Sequence, residues 1–268
     1  MVGEVLSKAM GWVVPRLMHT RYEVIAGEQL GDDLFSEMWG LTTRYVDRDR
    51  EGFRAKLAGC EEIFLVRRDG VLIYYMGWRS ALGDEGGPWV AFTIPFACGS
   101  PAARGHAYGT TLTLLVLLRL MARHPRRDLF VTLACSTSPG YVHIARHATA
   151  YWPRPGVPVP PRIRAIAAAE AREDGYADLD LDTLVVRRRG PRPVYKDCLN
   201  SKLDTSTNPY VRDYVALNPG QESGDTLLCV AAWDLRAIPR LLRSQLSGSH
   251  RGTAAARHPH TATRSLST

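Results

Sequence analysis

The chain has 268 residues, 45% of them hydrophobic and 23% charged, with a formal net charge of +7. That much aliphatic side chain excludes wholesale disorder and suffices for a core, in one large domain or two small ones. Five Cys, at 60, 98, 135, 198 and 229, form no CxxC or zinc-type pair and sit mostly in apolar runs, so a reducing, cytoplasmic setting is expected.

The charge is not laid out for nucleic acid. Residues 247–268 carry Arg251, Arg257 and Arg264 and no acid, and +7 less those three leaves +4 on residues 1–246. Much of the remainder is the cluster Arg187-Arg188-Arg189 with Arg192 and Lys196, without interleaved aromatics. A basic face of that kind suits an anionic small molecule or an acidic partner equally well. The most apolar run, 107–122, is short and interrupted by Arg119, so no membrane span is expected.

In chain order, an N-terminal extension (residues 1–20) precedes a strand over Arg21–Gly27. Two helical patterns follow, over Gly31–Val46, where Asp32 or Asp33 is placed to cap the start, and over Asp49–Cys60. Apolar runs 63–67 and 71–79 flank Arg68-Asp69-Gly70, which reads as a tight hairpin. Trp89–Phe96 is a further strand. The small-residue loop 99–109 then opens into Thr110–Arg123, apolar nearly all round and expected to be a buried helix. A strand over Asp128–Cys135, a helix over Ser138–Tyr151 and an extended proline connector over 153–161 come next. The pattern closes with a helix over Ile163–Glu173, strands over Thr183–Arg189 and Asp225–Trp233, a helix over Leu235–Leu246 and a disordered tail, 247–268. Helices interspersed among strands indicate an α/β protein with a mixed sheet.

Small residues before a helix let the backbone approach a ligand, and the helix start offers free N–H groups and a positive dipole end, which together suit a phosphate. No Gly-Lys-Ser/Thr follows, so the loop is not a nucleotide P-loop, and the glycine spacing is not that of a dinucleotide fingerprint. Arg104-Gly105-His106-Ala107-Tyr108-Gly109-Thr110 resembles the coenzyme A pyrophosphate loop of the GNAT superfamily of acyl-CoA-dependent N-acyltransferases, Arg/Gln-x-x-Gly-x-Gly/Ala. Arg104 and Gly109 match its ends, whereas Ala107 stands where the family has its middle glycine.

The resemblance covers residues 21–153, with 183–233 supplying two last strands, and it implies a GNAT-like fold, a central splayed sheet flanked by helices. On that reading residues 21–246 form one acyltransferase domain with insertions at 153–182 and 190–224, the latter read as polar turns. The family's pantetheine arm lies along the strand before the loop, which here implies Ala91–Phe96, with Phe92, Thr93 and Ile94 among its contacts and Pro95 where the ladder breaks. The coenzyme contacts implied are completed by Arg104, Gly105, His106, Ala107, Tyr108, Gly109, Thr110 and Ser136.

Acyl transfer to an amine needs a base for the ammonium proton and an acid for the departing thiolate. In many members of that family a Tyr on the helix after the splayed strand supplies the acid; here that helix carries Tyr141, the first candidate, with His143 and His147 as possible substitutes, and Tyr151 at its end reads equally as a packed aromatic. Glu37, on the first helix, and Asp84 and Glu85, before the central strand, are candidates for the base. No metal site is expected, because His143 and His147 lack a third ligand. The function expected is transfer of an acyl group from acetyl-CoA or a longer acyl-CoA to an amine of a small molecule or peptide. The alternative is a module that holds acyl-CoA, or the acyl group of an acyl carrier protein, without turnover. Tyr74, Met76 and Trp78 fall on one face of their strand and are expected to wall a pocket for a longer acyl chain.

Overall fold

The computed structural model of the chain describes residues 20–47, 49–103, 106, 108–187, 194–195 and 208–234. The N-terminal extension, Arg104, Gly105, Ala107, most of the basic cluster, the expected closing helix and the tail lie outside the described residues.

Strand β1 (Thr20–Ile25) leads into helices α1 (Asp32–Thr42) and α2 (Arg50–Ala58), separated by the two-residue strand β2 (Val46–Asp47). Gly31 takes the N-cap position of α1, so Asp32 and Asp33 fall in its first turn and do not cap it. Asp49 does cap α2, accepting from the Gly52 N–H. Strands β3 (Glu62–Arg68) and β4 (Val71–Gly83) form the expected hairpin, with Asp69 at φ 52° and Gly70 at φ 79°. Two successive left-handed residues give the turn whose twist matches the flanking strands.

Strand β5 (Trp89–Gly99), helix α3 (Tyr108–Arg123), strand β6 (Asp128–Cys135) and helix α4 (Ser138–His147) complete the central unit. Helix α4 stops at His147, earlier than its sequence pattern, and Tyr151 belongs to strand β7 (Ala150–Trp152). Leu118 on α3 is exposed, so that helix buries one side and is not enclosed all round. After the proline connector comes α5 (Pro161–Asp174), started by Pro161 and ended by Gly175 at φ 71°. Only Val185–Val186 (β8) of the expected late strand is extended. Val194–Tyr195 (β9) pairs with β2. Within the segment read as polar turns, Pro209–Leu217 forms helix α6, capped by Asn208. Thr226–Trp233 is β10.

The main sheet runs β1-β3-β4-β5-β6-β10-β7, with β8 also on β10. All its neighbours are antiparallel except β5 and β6, which are parallel. Alternation along the strands divides the core. Val90, Phe92, Val131 and Cys229 face α3, α4 and Tyr214 of α6. Ile63, Leu65 and Tyr75 face α1 and α2, and Trp89, Ala91, Phe130 and Leu228 face α5. The fold is thus α/β, a mixed sheet with helices on both faces.

Candidate active site

The parallel β5–β6 ladder is short. Its register runs from Trp89 opposite Asp128 to Thr93 opposite Thr132 and stops there, although β5 continues to Gly99 and β6 to Cys135. The β4–β5 ladder is irregular at the same level: Gly77 opposes Phe96 and Arg79 opposes Thr93, leaving Trp78 against Ile94 and Pro95. Proline cannot donate to a ladder, so Pro95 sits where the sequence put the break. Beyond Thr93 β5 and β6 no longer pair with each other, while β5 stays paired to β4 as far as Gly99. The open stretch is Ile94–Gly99, five steps or roughly 17 Å of extended chain. It is set later than the expected Ala91–Phe96. Phe92 and Thr93 are paired to β6, so their main-chain groups belong to the sheet and only Ile94 of that trio lines the gap.

At the far end of the gap stands the start of α3. The helix begins at Tyr108, two residues before the expected Thr110, so Gly109 and Thr110 lie in its first turn, whose N–H groups have no partner within the helix. Tyr108 is buried, and its hydroxyl accepts from Arg68 at 3.2 Å. The Arg68 guanidinium also lies 3.1 Å from His106 Nε2, and the His106 ring stacks on Tyr108 at 5.2 Å. Burial and, after it, the Arg68 charge lower the His106 pKa, so the neutral ring is favoured there. Arg68, from the hairpin turn, is therefore the cation the described structure brings to this helix start, and the sequence reading had not singled it out. Gly109 has a packing reason of its own: a Cβ would lie 2.7 Å from the Tyr74 hydroxyl oxygen. Ser136, just past β6, lies 3.1 Å from the Thr226 hydroxyl.

The three catalytic candidates are not brought together. Tyr141 is wholly buried, its hydroxyl donates to the Pro153 carbonyl at 3.3 Å and its ring packs on Tyr151 and Tyr214. Burial raises its pKa, as expected of a core phenol rather than of an acid facing the gap. His147 lies in the last turn of α4, the end away from β6, with its ring 4.8 Å from that of His143. Burial lowers both pKa values, that of His143 to about 4. Glu37 is clamped by Arg67 at 2.6 and 2.5 Å and accepts from the Leu72 N–H. The hydrogen bond from Arg67 is the main reason its pKa is lowered, the wrong direction for a base. Asp84 pairs with Arg127 in the loop before β5, at the paired end of that strand. Met76 and Trp78 are buried under α3, where Trp78 packs on Phe92, so they are core residues and do not wall a pocket.

Sequence reasoning missed a buried polar row at the apex of the gap. Arg79, Thr93 and Thr132 are opposed across β4, β5 and β6, on the face covered by α5. The Thr93 and Thr132 hydroxyls lie 2.6 Å apart, and Thr93 donates to Glu170 Oε2 at 2.8 Å. Arg79 donates to Glu170 Oε1 at 2.6 Å and pairs with Asp174 at 3.2 Å, which Lys56 of α2 also approaches at 3.4 Å. Glu170 is 3% exposed, and burial, offset mainly by the Arg79 charge, raises its pKa. One signal was available. Ile163, Ile166 and Ala167 form the buried stripe of α5, and Glu170 occupies the next position on it.

Among the described residues no three His, Cys, Asp or Glu side chains gather as a metal site. No described helix is long and apolar enough to cross a membrane.

No protein-family model matches the sequence, and no curated protein matches it. Solved structures do. A ribosomal-protein-alanine N-acetyltransferase from Brucella melitensis biovar Abortus 2308 is similar at 16% identity over 49% of this chain and 92% of that one, with a TM-score of 0.37. The NatC complex bound to Gag peptide and CoA matches at 12% identity over 51% of this chain and 88% of its own, with a TM-score of 0.38. An aminoglycoside acetyltransferase from an uncultured soil metagenomic sample, in complex with trehalose, matches at 12% over 42% and 76%, with a TM-score of 0.30.

Proposed function

We propose that the protein is an acyl-CoA-dependent N-acyltransferase that passes the acyl group directly to an amine of a small molecule or peptide. The observation that carries this reading is the gap between β5 and β6, which runs from the Thr93–Thr132 pair to the start of α3. A strand edge kept free recognises an extended chain by adding it as a further strand. The pantetheine arm offers two amides for that purpose, and the stretch Ile94–Gly99, which β6 does not follow, is long enough to receive it. The first turn of α3, with Gly109 and Thr110, takes the pyrophosphate, and Arg68 supplies a positive charge beside it. Arg104, Gly105, His106 and Ala107 complete that loop on the family resemblance, and Ser136 borders the arm from β6.

The donor is acetyl-CoA or a longer acyl-CoA, and competition among acetyl-, hexanoyl- and decanoyl-CoA reads the chain length. Titration calorimetry with these donors, followed by release of CoA in the presence of a panel of amines, tests the function. Absence of binding by every donor overturns it. The engagement of Tyr141, His147 and Glu37 elsewhere favours one other reading, a module that holds an acyl group from CoA or from an acyl carrier protein without turnover. Binding without CoA release for any amine is its signature.

A further inference from the structure

A buried ionised pair is seldom retained for stability alone, because an apolar replacement of similar volume is often neutral or stabilising. The Arg79–Glu170 pair nevertheless lies at a defined place, the last paired row before β5 and β6 separate. If the arm fills the gap from α3 toward Thr93, its thioester arrives at that row. The hydrogen bonds there have one direction. A carboxylate only accepts, so Thr93 donates to Glu170 and its oxygen is left to accept from Thr132. Both hydroxyls are thus oriented to pass a proton toward Glu170, and Arg79 holds the opposite carboxylate oxygen.

We propose that Thr132, Thr93 and Glu170 form the path by which the acceptor's ammonium proton is removed, with Glu170 as its terminus. This rests on the acyltransferase reading. Glu170 does not itself line the gap; it acts through Thr93 and is a positioning residue as well as the store for the proton. Thr132 and Thr93 are buried at the closed end of the gap, so the ammonium's proton reaches the Thr132 oxygen through one bridging water as the Thr132 proton moves to Thr93 and the Thr93 proton moves to Glu170. The freed nitrogen lone pair forms the C–N bond, the C–S bond breaks with its electron pair going to sulfur, and the second nitrogen proton goes to the thiolate. Glu170 returns its proton to solvent as products leave.

The groups facing Glu170 are Arg79 from β4, Thr93 from β5, and Asp174 along its own helix. Glu173 adds to the field at Arg79, and Lys56 and Cys60 face Asp174 and Arg79 from the α2 side. Burial outweighs the Arg79 charge, so the carboxyl ionises above the usual carboxylate range. Turnover should then fall as pH drops through that raised value.

The test compares wild type, Thr93→Val, Thr93→Ser and Glu170→Gln with acetyl-CoA and two classes of acceptor. Alkyl amines are almost wholly protonated at neutral pH and need the path, whereas hydroxylamine is mostly unprotonated and does not. Thr93→Val keeps the Arg79–Glu170 pair and the shape of the strand, so it guards against loss of folding in Glu170→Gln. The expected result is a fall in kcat for alkyl amines of about 100-fold or more in Thr93→Val and Glu170→Gln, with hydroxylamine turnover and acetyl-CoA affinity near wild type. Thr93→Ser should restore the rate, and the acidic limb of the pH profile should vanish in Glu170→Gln. Equal losses with both acceptor classes, or an unchanged pH profile, would show a structural role and overturn the path while leaving the acyltransferase reading intact. Wild type that binds acetyl-CoA but releases no CoA with any acceptor overturns both, and wild type that binds no acyl-CoA overturns the function first.

Discussion

Gly109 separates two demands that the sequence could not: room for a phosphate and room for Tyr74. An alanine methyl there would lie 2.7 Å from the Tyr74 hydroxyl oxygen, whereas the next nearest atom, Cζ, is at 3.6 Å. Overpacking of this kind costs about 1–3 kcal/mol, and alanine in place of glycine within a helix returns up to about 1 kcal/mol. Gly109→Ala alone should therefore destabilise by about 0–3 kcal/mol. With Tyr74→Phe in the background, the nearest contact becomes an ordinary one, and the same substitution should be neutral or stabilise by up to about 1 kcal/mol. Urea unfolding of the four proteins gives the coupling directly, about 1–3 kcal/mol if the clash is the cause. Because the methyl points at β4, CoA affinity in the double variant should stay close to that of Tyr74→Phe alone. An equal cost of Gly109→Ala in both backgrounds would refute the packing explanation. A loss of CoA affinity in the double variant would restore the phosphate as the reason for glycine.

Glu37→Gln should cost about 0.5–1 kcal/mol at pH 7, the range for a partly exposed ion pair, with kcat unchanged. The folded-state pKa of Glu37 is lowered, so its stabilisation is present above the unfolded carboxylate range and is lost as pH falls through the folded value. The difference between the two proteins in urea unfolding should shrink on acidification below about pH 4. Tyr141→Phe removes a buried bond to the Pro153 carbonyl and should cost about 1 kcal/mol without altering turnover. A collapse of kcat with donor affinity intact would return that hydroxyl to the reaction. Asp49→Ala deletes the cap of α2 and should cost about 1 kcal/mol, read as a lower urea midpoint with an unchanged slope.

Legibility in the sequence followed the range of the interactions concerned. The hairpin turn and the break at Pro95 are local chemistry, and each lies where its residues placed it; α5 runs Pro161–Asp174 around the expected Ile163–Glu173, whereas the cap expected at Asp32 or Asp33 falls to Gly31. Helix α6 was hidden because Asn208-Pro209 reads as a turn as easily as a capped helix start, and only packing against α4 decides between them. The roles of single titratable residues were the least legible. Glu37 and Glu170 are both glutamates on amphipathic helices. One meets Arg67 from a hairpin 30 residues away, and the other meets Arg79 at a separation of 91. Nothing within either helix says which carboxylate will be half-exposed with a lowered pKa and which will be buried with a raised one. The Glu170 position on an apolar stripe was the exception, a charge where the period calls for a core residue.

The gap itself follows from a few residues acting at one level of the sheet. Pro95 removes a donor from β5, and the irregularity at Trp78 turns the β4–β5 register so that Phe96 and Cys98 pack toward α1 and α2. With β5 turned there, β6 does not follow it beyond Thr132. Its last carbonyl, at Cys135, accepts instead from Tyr214 at 3.2 Å, a hydroxyl held in turn by Asn218. The residues of β5 beyond Thr93 are half-buried, and Ala97 is exposed, so water can reach that edge where β6 does not follow it. An extended ligand with amides spaced like a peptide replaces that water without a change of backbone, which is the physical reason to read the opening as a binding groove.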